Sequence, residues 1–89
     1  MVDLGTLPGS SASWAYGVND RGQVVGSSYV PGGFYPHAVL WDHGTITDLG
    51  TLPGGTQSEA RAISDRGRIV GQSYDATGHG QAVAWDRER

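Results

Sequence analysis

The chain has 89 residues, nine acidic side chains against six arginines and no lysine, and a formal net charge of −3. That balance lacks the basic footprint of a nucleic-acid binder, and no run of 18 apolar residues offers a membrane-spanning helix. With no cysteine, neither a disulfide nor a thiolate metal site can staple so short a chain, which points to oligomerisation or an unusually tight core.

The opening stretch "VDLGTLPGS" from Val2 returns as "TDLGTLPGG" from Thr47. Residues 3–29 match residues 48–74 at 16 of 27 positions with an offset of 45, and residues 37–42 match 81–86 at four of six with an offset of 44. One unit is therefore about 45 residues long and the chain holds nearly two. The glycines fall at fixed places between apolar runs, as ordered turns require.

Residues 2–7 predict a lone strand, a copy of the unit's last segment. This N-terminus lacks the basic and apolar regions of a signal peptide. Residues 13–19 predict a first strand. Its Ala15, Gly17 and Asn19 are expected on one face, matched by Ala60, Ala62 and Ser64, small enough for neighbouring backbones to approach. "NDRG" at 19–22 and "SDRG" at 64–67 are turns. Gly22 and Gly67 take the left-handed position there, and Asp20 and Asp65 are expected to accept backbone N–H groups of the turn. Residues 23–30 and 68–75 predict second strands, in which Gly26 and Gly71 mark a bulge or a tight contact. After the loop "PGGFYP", residues 37–42 form a third strand, "HG" a two-residue hairpin turn, and residues 45–52 a fourth.

No ten-residue stretch has convincing helical periodicity, so the fold expected is all-β. Four short antiparallel strands in such a unit are the signature of a β-propeller blade. The chain then holds a complete blade at 13–52 and a three-stranded, incomplete blade at 58–86. Two blades cannot close a ring. The N-terminal strand is expected to complete the last blade of a neighbouring chain, giving a head-to-tail contact and a cyclic homo-oligomer. A trimer is expected first and a tetramer next. Val24, Val25, Val39, Leu40, Ile69, Val70 and Val83 are expected between stacked blades, with Trp41 and Trp85 covering the seam.

"DLGTLPGG", "NDRGQVVG" and "HAVLWD" resemble the HAF repeat, named for a His-Ala-Phe tripeptide. The corresponding tripeptides here are His37-Ala38-Val39 and Gln81-Ala82-Val83. The resemblance covers almost the whole chain. It implies a bacterial, extracellular parent protein and carries over no defined activity.

The chemistry that the residues offer is sparse. His37 and Asp42 lie five apart in one strand, point to opposite faces and do not chelate one ion. No nucleophile elbow frames a serine. "LPGG" has neither the following helix nor the lysine of a phosphate loop, and one carboxylate per "DRG" turn is too few for calcium. No catalytic residue, metal or cofactor is expected. The reading is a non-catalytic, self-assembling propeller module or fragment, natural or engineered. A lectin-like alternative rests on loop side chains at one end of the blades: Trp14, Phe34, Tyr35, His37 and His79, which suit a sugar or peptide. An enzyme with its site in a central funnel has the least support.

Overall fold

A computed structural model of the protein describes Gly5, residues 12–29 and residues 35–86. These form seven strands and no helix: β1 (Ser13–Val18), β2 (Val24–Tyr29), β3 (Pro36–Asp42), β4 (Thr45–Gly50), β5 (Ser58–Ile63), β6 (Arg68–Tyr74) and β7 (Gly80–Asp86). They build two open antiparallel sheets, one in the order β1-β2-β3-β4 and the other β5-β6-β7. Apart from Gly5, the predicted strand at 2–7 lies outside the described residues.

The turns explain the short strands. Gly22 and Gly67 have φ values of 78° and 91° and return their amides to Asn19 and Ser64. The group that ties the first turn is Asn19, not Asp20. The Asn19 Oδ1 accepts the amides of Arg21 and Gln23, both at 3.0 Å. Ser64 Oγ accepts the amide of Arg68 in the second turn. The residue that opens such a turn faces the amides two and more positions ahead, whereas the next side chain points outward. Asp65 instead reaches the neighbouring turn, where its Oδ1 accepts the Asp20 amide at 3.0 Å.

A bulge corrects the expected face of β1. Ala15 pairs with Gly26, but Gly17 pairs with Val25, so Tyr16 is an extra residue. Arg61 is extra in the same way between Ala60 and Ala62 on β5. The inserted residue puts Ala15 and Gly17 on opposite faces, and Ala60 and Ala62 likewise. Gly26 and Gly71 lie across from the bulges. A Cβ at either would sit 1.8 Å from the Trp14 carbonyl oxygen or 2.0 Å from that of Glu59.

The core lies between the sheets. Val25, Ala38 and Leu40 of the first sheet bury against Ala60 and Ile69 of the second, with Leu49, Ile63 and Trp85 packed around them. Val39 and Trp41 are buried on the opposite face of the first sheet, beside Val24 and Ile46. Val70 departs from the expected core. It is 45% exposed, because it points away from the first sheet on the bare face of the second.

Candidate functional site

At one end of the sheets the β4–β5 loop packs against the β6–β7 loop. Gly54 has φ +74, and a Cβ there would lie 2.9 Å from the Ala76 Cβ. The two loops and Tyr35 enclose a cleft of about 330 Å³, lined by Tyr35, Thr56, Gln57, Tyr74 and Asp75 among others. Tyr35 is half exposed, while Tyr74 is half-buried. Asp75 organises the β6–β7 loop. Its Oδ1 accepts the Thr77 hydroxyl at 2.6 Å, the Thr77 amide at 2.9 Å and the His79 amide at 3.1 Å. Its Oδ2 accepts the Gln81 side-chain amide at 3.1 Å. These bonds, the Thr77 hydroxyl foremost, favour the ionised carboxyl and lower its pKa to about 2.

Of the predicted loop side chains, Tyr35 lines this cleft. His79 stands in its wall loop, with Nδ1 2.7 Å from the Thr77 hydroxyl. Trp14 is exposed and packs edge-on to Tyr29, with ring centroids 5.3 Å apart. His37 is not in the cleft lining; its Nδ1 lies 3.1 Å from the Asp48 carboxylate across the β3–β4 pair. Phe34 lies outside the described residues. Tyr74, Gln57 and Asp75 were not singled out by sequence reasoning. The signal for Asp75 was present in "DATG", where Asp stands two residues before Thr and three before Gly, a side-chain-tied turn. His43 pairs with Asp42, which also accepts the Gln23 side-chain amide at 3.2 Å. Among the described residues no three His, Cys, Asp or Glu side chains cluster to hold a metal.

The bare face of the second sheet is the other candidate. Arg61, Val70, Gln72, Ala82 and Ala84 line an open, mainly apolar groove of about 560 Å³. Arg61 is held from two sides. Its guanidinium pairs with Glu59 at 2.8 Å and its Cζ lies 5.0 Å from the centre of the Tyr16 ring. The Glu59 carboxylate, by hydrogen bond and charge, raises the Arg61 pKa further.

Equivalent residues of the two units touch at several points. Asn19 Nδ2 donates to the Ser64 carbonyl at 2.9 Å, and Tyr16 meets Arg61; each pair is one unit apart. Ser58 Oγ donates to the Gly50 carbonyl at 2.7 Å and accepts the Ala38 amide at 2.7 Å. Its equivalent, Ser13 Oγ, donates to the Gly5 carbonyl at 3.0 Å, which also accepts Trp41 Nε1 at 3.2 Å. Gly5 and Gly50 share a left-handed backbone, with φ values of 87° and 83°. Comparison with protein-family models, curated proteins and solved structures finds no match.

Proposed function

We propose that the chain is a non-catalytic assembly module, of the HAF-repeat kind, whose sheets are propeller blades and whose copies close a ring. Each copy's N-terminal segment completes the three-stranded sheet of its neighbour. The observation that carries this reading is the placement of Gly5. It stands to Ser13 of the first sheet as Gly50, the last residue of β4, stands to Ser58 of the second. This supports Gly5 as the end of a fourth strand, next to a sheet that already has four strands. The second sheet has three, and among the described residues β7 pairs on one edge alone. An edge of that kind is a template for another chain. Ser58 bridges β4 to the Ala38 amide of β3; the equivalent amide on β7 is that of Ala82, which supports β7 of a neighbour as the strand that joins Gly5.

Light scattering after size-exclusion chromatography tests the reading on the intact chain and on one lacking residues 1–7. The expected result is a discrete multiple of the 9.4 kDa monomer, a trimer first and a tetramer next, which dissociates or aggregates on truncation. A folded monomer overturns it.

The cleft between Tyr35 and Tyr74 favours a second reading, capture of a carbohydrate or peptide at the loop end of the blades. The rings of Tyr35 and Tyr74 beside the amide and hydroxyl of Gln57 and Thr56 suit a ligand with one apolar and one polar face. A glycan array with Tyr35→Ala and Trp14→Ala as controls tests it. Binding that both substitutions leave unchanged, or no binding at all, counts against it.

A further inference from the structure

We infer that the groove on the bare face of the second sheet seats β1 of a second copy of this chain, so that the contact between copies repeats the contact between the two sheets. The inference rests on the assembly reading above and names its surface. It stands on a different observation, the mismatch in exposure between equivalent residues.

Inside the chain β5 lies across the face of the first sheet that carries Val25, Ala38 and Leu40, all buried. The same three positions of the second sheet are Val70, Ala82 and Ala84, with Ala84 opposite Val70 as Leu40 is opposite Val25. All three are exposed. The missing cover is therefore the equivalent of β5, which is β1. On the covering side the mismatch recurs. Ala60 is fully buried and Ile63 packs on the core, whereas their equivalents Ala15 and Val18 are exposed, Val18 at 65%. Two surfaces of one chain thus lack partners among the described residues, and their equivalents within the same chain are partners of each other.

A second copy fits without a new kind of contact. Its Ala15 takes the seat that Ala60 takes on the first sheet. Its Tyr16 meets Arg61, which already faces the Tyr16 ring of its own chain, so the guanidinium lies between two rings, an arrangement favourable to a cation. Its Asp20 carboxylate receives the Asp65 amide, as Asp65 receives the Asp20 amide within the chain. The contact is heterologous, since different surfaces meet. It therefore propagates or closes rather than stopping at a two-fold pair.

Two single-cysteine proteins, Asp20→Cys and Asp65→Cys, test this in a chain with no cysteine of its own. Both sites are exposed turn residues, so neither substitution opens the core. Within reach of a neighbouring turn the two thiols approach disulfide distance. The expected result is a cross-linked dimer on oxidation of the mixture and none from either protein alone. An oligomer that gives no mixed cross-link, or that cross-links within one of the single-cysteine proteins alone, overturns the inference and leaves assembly standing. A monomer under all conditions overturns assembly itself. Val70→Glu supplies a second arm. It is expected to weaken association at least tenfold with an unchanged far-ultraviolet circular dichroism spectrum, and unchanged association overturns the inference.

Discussion

Asn19 is buried and uses both ends of its amide, accepting two turn amides and donating to Gln23 Oε1 and the Ser64 carbonyl. Asp20, next in the chain, is exposed. Removing buried partners leaves several polar groups unsatisfied. Asn19→Ala is therefore expected to cost about 1–3 kcal/mol in urea denaturation, against less than about 0.5 kcal/mol for Asp20→Ala. The turn itself was legible in "NDRG", through its glycine. Which polar residue ties it was not, because Asn and Asp are equally good turn acceptors by type and only position separates them. Asp75 sets a pH dependence. Its carboxyl is lowered from the ordinary 3.8 to about 2. The unfolded chain therefore binds this proton more tightly, and the stabilisation is complete above 3.8 and fades as pH falls towards 2. Thermal unfolding between pH 5 and pH 2 checks it: Asp75→Asn should remove that part of the slope.

The strands were largely readable, since turn residues bound them and apolar residues fill them. The predicted third strand at 37–42 is β3 from Pro36 to Asp42, and the predicted fourth, 45–52, ends two residues earlier at Gly50. The bulges in β1 and β5 were not readable. "AYGV" and "ARAI" look like plain alternation, and the extra residue shows only when each strand is laid against its partner. That one insertion reverses every face assignment beyond it. Gly26 and Gly71, expected to mark a bulge or a tight contact, lie on the strand opposite each bulge. Gly26→Ala would drive a methyl into the Trp14 carbonyl and is expected to cost about 1–3 kcal/mol or more, read from the urea midpoint.

The two sheets share one buried cluster, to which each contributes residues. Leu40, 2% exposed at its centre, touches both sheets' fate. Leu40→Ala is expected to cost about 2–5 kcal/mol and to lower one unfolding transition seen alike by tryptophan fluorescence and circular dichroism. Two separate transitions would contradict a shared core. The repeat told which residues are equivalent, but not which of each pair is buried. Val25 and Val70 occupy the same position of the unit, yet one is fully covered and the other is 45% exposed. A local pattern cannot register this difference, because it depends on what lies on either side of the unit.

The stacked turns give the molecule an internal clock of its own contacts. The Asp20 amide is bonded to Asp65, whereas the Asp65 amide, at the same place in the next turn, has no acceptor among the described residues. In deuterated water these two amide protons therefore exchange at different speeds, Asp20 the slower. In the proposed assembly a second copy's turn settles on Asp65, and its amide is expected to slow to match. Two resonances in one nitrogen–proton spectrum of nitrogen-15-enriched protein thus test, with no attached probe, whether a chain of the proposed assembly sits at an open end or inside a continuous stack.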